Sequence, residues 1–296
     1  MSEAVELVLE ARPALLPGGL SVRRALPRAK RRMVGPFVFV DQMGPAAISS
    51  GASVDVLSHP HIGLSTLTWL FEGEGLHKDS LGYVQPIRPG EVNWMTAGKG
   101  IVHAEFMRGG DAGRLFGVQT WVALPRAEEE RDPSFEHYGA DQVPTLDAPG
   151  VRMKLIAGEL FGARSGVRVF SPLFYLEARM EAGAQLDLPA DHPERALYLV
   201  EGAVSAAGRI LAPGELAVFA AGPMIRIEAA APSLLLLLGG EPLDGPRFIE
   251  WNFVSSSKER IARAVDDWRH QRFSRIPGET AYIPLPRDGS EPVNYP

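Results

Sequence analysis

The chain has 296 residues, of which 45% are hydrophobic and 22% charged, a composition typical of an ordinary globular protein and not of a disordered chain or a membrane protein. Its net charge of −6 argues against non-specific nucleic-acid binding, and the absence of cysteine excludes disulfides and thiolate metal sites. No apolar run approaches the roughly 20 residues that a membrane-spanning helix needs, and no secretory signal is visible. We therefore expect a cytoplasmic protein without a membrane partner.

Short strands punctuated by glycine and proline dominate the chain up to residue 255. Residues 5–26 alternate loosely between apolar and polar, which predicts two strands joined by a turn at Pro17-Gly18-Gly19. An apolar run at 234–238 predicts a buried strand. Further strands, rich in β-branched and aromatic residues, are predicted at 35–41, 66–71, 90–95, 117–124 and 151–157. With 31 Gly, 25 Pro and scarcely any helical periodicity, this pattern indicates an all-β sandwich or barrel.

The sequence contains an internal repeat. Pro-Gly-Glu-Val at residues 89–92 is followed by an Ala-Gly pair, and Pro-Gly-Glu-Leu at residues 213–216 is followed by another Ala-Gly pair at the same spacing. Repetition at a fixed spacing is the signature of a duplicated structural unit. We therefore predict two β-domains, an N-terminal one at 1–135 and a C-terminal one at 136–296.

Two short motifs in the first repeat carry the candidate chemistry. They are His59-Pro60-His61 and His103-Ala104-Glu105. Residues two apart on a strand project to the same face, so each motif offers two donor groups to one side. If the two strands face one another, three imidazoles and a carboxylate surround a single point, which is a ligand set for a divalent transition metal. We therefore predict that His59, His61, His103 and Glu105 bind a metal ion.

The second repeat lacks these donors. By the repeat offsets, the four positions fall on Leu188, Ala190, Ile227 and Ala229. The ion is therefore expected in the N-terminal domain alone. Of the other histidines, His77 is predicted to be a solvent-facing strand residue, with a role in the pocket as the alternative, and His192 is predicted to be a loop residue.

One helix is predicted near the end of the chain, at residues 257–270. Ser256 and Glu259 have the spacing of a capping box, in which a serine and a glutamate satisfy backbone N–H groups at the helix start. Ile261, Val265 and Trp268 follow at helical spacing and form an apolar stripe. We expect this stripe to pack on a sheet.

Several stretches of the sequence resemble the pirin family of the cupin superfamily. They are Phe-Val-Phe-Val-Asp at 37–41, His-Pro-His at 59–61, Trp-Met-Thr-Ala-Gly-Lys-Gly-Ile-Val-His at 94–103 and Phe-Val-Ser-Ser-Ser-Lys-Glu-Arg-Ile at 253–261. The resemblance covers nearly the whole chain. It implies an all-β fold of two tandem antiparallel cupin-type β-barrels (double-stranded β-helix) followed by a short C-terminal helix. It also implies one metal in the N-terminal barrel, held by the four ligands named above.

The chain departs from the family pattern beside the first motif. The family usually reads His-Pro-His-Arg-Gly-Phe-Glu, whereas Ile62, Leu64 and Ser65 replace the Arg, Phe and Glu here. Cupins often take a carboxylate ligand from about this place. Ser65 removes that option, so Glu105 is the one acid expected at the metal.

The resemblance implies a metal-dependent dioxygenase of the quercetin 2,3-dioxygenase type, acting on a flavonol and dioxygen. Glu105 would accept the proton of the flavonol 3-hydroxyl. Three imidazoles and a carboxylate suit several ions; Fe(II) is the expected one, with Ni, Cu, Mn and Zn as alternatives. The main alternative function is a non-catalytic, metal- or redox-sensitive regulator that binds a protein partner. A third is an isomerase or storage-type cupin with bound Zn.

Overall fold

The fold consists almost entirely of antiparallel strands. The computed structural model describes residues 4–16 and 19–286. The strands of the first half are β1 (Val5–Glu10), β2 (Arg12–Leu15), β3 (Ser21–Leu26), β4 (Phe37–Ala47), β5 (Val54–His61), β6 (Leu64–Glu72), β7 (Glu74–Asp79), β8 (Val84–Ile87), β9 (Val92–Thr96), β10 (Ile101–Arg108) and β11 (Arg114–Ala123). A 3₁₀ turn at Arg126–Glu128 follows.

The second half continues the same pattern and ends in one helix. Its elements are β12 (Ser134–Tyr138), β13 (Thr145–Ala148), β14 (Val151–Leu160), β15 (Ala163–Arg164), β16 (Leu173–Met180), β17 (Gln185–Leu188), β18 (Glu194–Glu201), β19 (Val204–Ala206), β20 (Arg209–Leu211), β21 (Glu215–Phe219), β22 (Ile225–Ala229), β23 (Ser233–Gly240), β24 (Phe248–Glu250), β25 (Phe253–Ser255) and α1 (Lys258–Arg269). Each of the predicted strands is present. The region 5–26 forms three strands instead of two, and Pro17 and Gly18 of the predicted turn lie outside the described residues.

The chain divides into two compact units. The C-terminal unit contains the residues up to Pro13, Arg23–Gln42 and Tyr138–Leu243. The N-terminal unit contains Ala14–Val22, Met43–His137 and the residues from Asp244 onward. The sequence-based ranges 1–135 and 136–296 are contiguous, whereas these units are interleaved along the chain.

The C-terminal unit contains two sheets. The larger has the strand order β1-β21-β18-β23-β16-β14-β13, with β15 paired to β14. Its central strand β23 carries the leucine run 234–238, which is buried along its whole length as predicted. The smaller sheet has the order β17-β22-β19-β20. The inward side chains of this unit form one apolar core, because strand residues alternate between faces and these faces carry Leu, Ile, Val and Phe.

The N-terminal unit contains the equivalent small sheet, in the order β5-β10-β7-β8. Strands β12, β9, β6 and β11 of this unit belong to a seven-stranded sheet that continues through β4 and β3 to β2. The all-β fold with two cupin-type halves is therefore confirmed. In the described part of the chain the strands form separate sheets and not closed barrels.

Helix α1 packs within the N-terminal unit. Ile261, Ala264 and Trp268 share one helix face and contact Ile62 and Val102. The N-cap is Ser257, whose hydroxyl accepts a hydrogen bond from the backbone N–H of Arg260 at 3.1 Å. The predicted cap, Ser256, was therefore wrong by one residue. Its backbone N–H and hydroxyl instead donate to the Glu129 carboxylate.

Candidate metal centre

The two histidine motifs lie on adjacent strands of the small sheet. Strand β10 pairs with β5 so that His103 is directly opposite His59, and His61 follows at the end of β5. The ring centroids of His59, His61 and His103 are 4.3 to 5.1 Å apart. A ring nitrogen from each lies within 4.8 Å of the other two. The structure therefore brings the three predicted histidines to one point.

Backbone carbonyls fix the orientation of the β5 histidines. His59 Nδ1 lies 2.8 Å from the Leu57 carbonyl oxygen, and His61 Nδ1 lies 3.1 Å from that of Asn252. A carbonyl can only accept, so each Nδ1 donates and each neutral ring keeps its lone pair on Nε2. Metal-binding histidines almost always have the other nitrogen engaged in this way. His61 also makes an edge contact with the Trp121 ring, at a centroid distance of 5.1 Å.

His103 is the least satisfied polar side chain of the site. It is 1% exposed, and neither of its ring nitrogens has a hydrogen-bond partner among residues 4–16 and 19–286. Leaving a buried polar group unpaired costs about 1–3 kcal/mol. A cation held between the three rings would satisfy it. The donors present therefore fit a divalent transition metal.

Burial keeps these imidazoles in the form that binds metal. Desolvation lowers the pKa of His59 to about 4. It also places the pKa of His61 and of His103 well below the usual range, with a further lowering from the neighbouring imidazoles. A histidine must be unprotonated on the binding nitrogen to hold a cation. The three rings are therefore ready to bind at neutral pH.

The structure does not bring Glu105 into the group formed by His59, His61 and His103, although a Glu105 oxygen lies within 4.8 Å of a His103 ring nitrogen. A bulge in β10 between His103 and Glu105 shifts the pairing, so that Glu105 is opposite Val56 on β5 and opposite His77 on β7. The Thr68 hydroxyl donates a hydrogen bond to a Glu105 carboxylate oxygen at 2.7 Å. Burial raises the pKa of Glu105, and the hydrogen bond from Thr68 opposes this rise.

A second group of donors overlaps the first. Ligand atoms of His77, His103 and Glu105 all lie within 4.8 Å of one another. The prediction that His77 faces solvent was wrong, because this residue is 3% exposed and its ring stacks on Phe135 at 4.5 Å. The sequence signal that could have identified it is Asp79, two residues later. The two residues share one face of β7, and His77 Nε2 lies 2.9 Å from the Asp79 carboxylate.

Other residues named from the sequence lie away from the histidine group or offer it no ligand. His192 lies in a loop, as predicted, although it is largely buried. Ser65 is buried and bonds the Thr96 hydroxyl at 3.0 Å, so it offers the site no carboxylate. Ile62 packs against α1. Ile227 and Ala229, the counterparts of His103 and Glu105, lie in the apolar core of the C-terminal unit.

The fold and the site together define a class. Two cupin-type halves, one of which gathers three buried histidines and a glutamate on its small sheet, make the protein a bicupin with a candidate metal centre in its N-terminal unit. No helix in the described part of the chain is long and apolar enough to cross a membrane.

Comparison with known proteins identifies the family. The model of the pirin family matches residues 19–122, and that of the pirin C-terminal cupin domain matches residues 175–274. A pirin-like protein of Caulobacter vibrioides is 52% identical over 291 residues, which cover 95% of this chain and 99% of that protein. The chain belongs to the pirin family.

Solved structures share the fold. The crystal structure of a quercetin 2,3-dioxygenase from Acinetobacter baumannii matches with a TM-score of 0.88 and 33% identity, covering 96% of each chain. The crystal structure of a bacterial pirin from Escherichia coli in complex with nickel(II) matches with a TM-score of 0.63 and 18% identity, covering 80% of this chain and 99% of that one.

Proposed function

We propose that this protein is a metal-dependent dioxygenase of the quercetin 2,3-dioxygenase type, with a flavonol and dioxygen as substrates. The observation that carries the proposal is the buried cluster of His59, His61 and His103, in which His103 has no other partner within the described residues. The likeness over nearly the full chain to the quercetin 2,3-dioxygenase of Acinetobacter baumannii supports the substrate class.

The three histidines and Glu105 would hold a single divalent ion. Four protein ligands would leave positions open on a six-coordinate ion, which is typical of catalytic and not of structural sites. When bound, the ion would supply Lewis-acid and, if it is redox-active, electron-transfer chemistry toward dioxygen. Fe(II) is our preferred ion, with Ni, Cu, Mn and Zn as alternatives that metal analysis would separate.

Glu105 would accept the proton of the flavonol 3-hydroxyl. Burial raises the pKa of this carboxylate in the metal-free protein, whereas a bound cation would lower it, so Glu105 would have to move off the ion to act as the base. Thr68 orients one carboxylate oxygen through its hydroxyl. A proton acceptor must lie within hydrogen-bond reach of the group that it deprotonates, which requires the flavonol to bind beside β10.

Oxygen uptake during incubation with quercetin tests the proposal. Protein loaded in turn with each of the five metals is incubated with quercetin in air and under nitrogen, and loss of the flavonol absorption band is followed. We expect turnover that requires both metal and dioxygen and that is lost in Glu105→Gln. Absence of metal-dependent turnover with all five ions would refute the proposal. The regulatory alternative, in which a protein partner responds to the metal state, and the cytoplasmic location remain predictions.

A further inference from the structure

We propose that His77 is also a metal ligand, in a second donor triad with His103 and Glu105 that shares His103 with the histidine triad. The inference concerns coordination and shares its metal centre with the function proposed above. It would give one ion two overlapping positions on the small sheet, one surrounded by imidazoles alone and one that includes a carboxylate.

The first support is geometric. Strand β10 lies between β5 and β7, so donors from both neighbours converge on it. On the β7 side, His77 is directly opposite Glu105 and Asp79 is directly opposite His103. Ligand atoms of His77, His103 and Glu105 lie within 4.8 Å of one another, and the three residues are buried. This spacing fits three donors around one cation with small side-chain adjustments.

The second support is the anchoring of the His77 ring. His77 Nε2 donates to the buried Asp79 carboxylate at 2.9 Å, and Asp79 also accepts from the backbone N–H groups of Leu81 and Tyr83 at 2.9 and 3.1 Å. A carboxylate that accepts the N–H of a histidine is a common partner of metal-binding imidazoles, because it fixes the ring and increases its basicity. Carbonyl oxygens do the same for His59 and His61. Asp79 is therefore the positioning residue of His77.

The third support comes from the sister sheet of the C-terminal unit. There β22 pairs with β19 so that Ala229, the counterpart of Glu105, is opposite Val204, and Ile227 is opposite Ala206. Val204 and Ala206 thus occupy the places of His77 and Asp79. The polar residues of the two strands are replaced together by buried apolar ones. We infer that His77 and Asp79 belong to the same functional set as His103 and Glu105.

The two positions would differ in the ions that they favour. Imidazoles alone suit Cu, Ni and Zn, whereas a carboxylate suits harder ions such as Mn(II). Mn(II) is therefore the sharper probe of the second triad. Its binding to the metal-free full-length chain can be followed through the electron paramagnetic resonance signal of free Mn(II), which needs no catalytic activity.

We expect Asp79→Asn to weaken Mn(II) binding by roughly 10- to 100-fold, the usual effect of removing an outer partner of a metal ligand. His77→Gln should weaken it at least as much, because it removes the proposed ligand itself. The matched control is His192→Gln, because His192 is also buried against an aromatic ring, Phe174, but lies in the other unit. It should bind Mn(II) as the wild type does. Unchanged Mn(II) affinity in folded His77→Gln would overturn the inference.

Two further measurements keep the outcome decisive. If His61→Gln loses Mn(II) but His77→Gln retains it, the second triad is refuted while the metal site of the proposed function stands. If neither variant folds, crystals of the wild-type protein soaked in Mn(II) decide the matter through anomalous scattering. The inference requires the ion at bonding distance from a ring nitrogen of His77. An ion held by the other histidines with His77 beyond that distance would overturn it.

Discussion

Replacing Arg247 by methionine should strongly destabilise the N-terminal unit. The Arg247 side chain is fully buried, and its Nε lies 2.8 Å from the buried carboxylate of Glu129. It also donates to the carbonyl oxygens of Leu124 and Gly245, at 2.9 and 2.8 Å. Glu129 in turn accepts from Ser255 and Ser256, immediately before α1. The pair thus connects the 3₁₀ turn to the start of the helix.

The magnitude follows from what the substitution leaves behind. Methionine fills a volume similar to that of arginine, but it removes the counter-charge of Glu129 and leaves the Leu124 carbonyl without its hydrogen bonds from Arg247. Removing one partner of a buried ion pair costs about 3–5 kcal/mol, out of a total stability of about 5–15 kcal/mol for a typical domain. The double variant Glu129→Gln/Arg247→Met should be less destabilised than the sum of the two single variants, because the second change removes a charge that the first left uncompensated.

Guanidinium unfolding followed by tryptophan fluorescence measures this effect. All five tryptophans lie in the N-terminal unit, including Trp268 on α1, and they lie on both sides of Arg247 in the sequence. The matched control is Arg114→Met, which breaks a surface pair with Glu72 in the same unit, at an N–O distance of 3.5 Å. The control should leave the unfolding midpoint unchanged, because exposed ion pairs contribute little. Equal midpoints for Arg247→Met and the control would refute this reasoning about the buried pair.

Three further predictions concern the metal centre and its supporting loop. The metal-free protein should lose stability as the pH falls from about 6.5 toward 4, because His59 is protonated at a higher pH in the unfolded chain than in the folded protein. A pKa of about 4 in the folded protein corresponds to a loss of about 3 kcal/mol in the free energy of unfolding. An unfolding midpoint that stays constant across this pH range would contradict the prediction. Thr68→Val should weaken metal binding roughly tenfold, measured by chelator competition, because Glu105 loses the hydroxyl that orients it. Gly98→Ala should be more destabilising than Gly183→Ala. Both glycines have positive φ, which costs an L-residue roughly 1–2 kcal/mol, but of the two only Gly98 would place the added Cβ against a backbone carbonyl, that of Arg131. Equal melting temperatures of the two variants would be inconsistent with this contact.

The sequence predicts that His59, His61 and His103 lie close together, for a physical reason. Two donors separated by one residue on a regular strand share a face, so His59 and His61 could be paired without coordinates, whereas the bulge between His103 and Glu105 has no signal in the sequence. The repeat likewise predicts two similar halves. Pairing of β10 with β5, which brings the motifs together, was the simplest assumption, and the structure has this pairing.

The sequence does not predict the features that depend on contacts between distant segments. His77 has the same spacing to Asp79 as the recognised pairs have internally, but its burial depends on Phe135 and on the position of β7 beside β10. The burial of Arg247 depends on Glu129, more than a hundred residues earlier. The N-terminal strand β1 pairs with β21, and no local pattern in residues 5–10 specifies that partner.

The helix cap shows the same limit on a smaller scale. Three consecutive serines, 255 to 257, precede α1, and each could cap it by residue type alone. Glu129 takes the hydrogen bonds of Ser255 and Ser256, which leaves Ser257 to accept from the helix. The choice is thus made by a carboxylate from another part of the N-terminal unit.

Elemental analysis of protein purified without chelator tests the central claim most directly, with His61→Ala and the control His192→Ala prepared in parallel. The account predicts a single divalent transition metal per chain in the wild type and in the control, and its loss in His61→Ala. A wild-type protein that binds no such ion even when it is supplied, or a His61→Ala variant that retains it fully, would contradict the account.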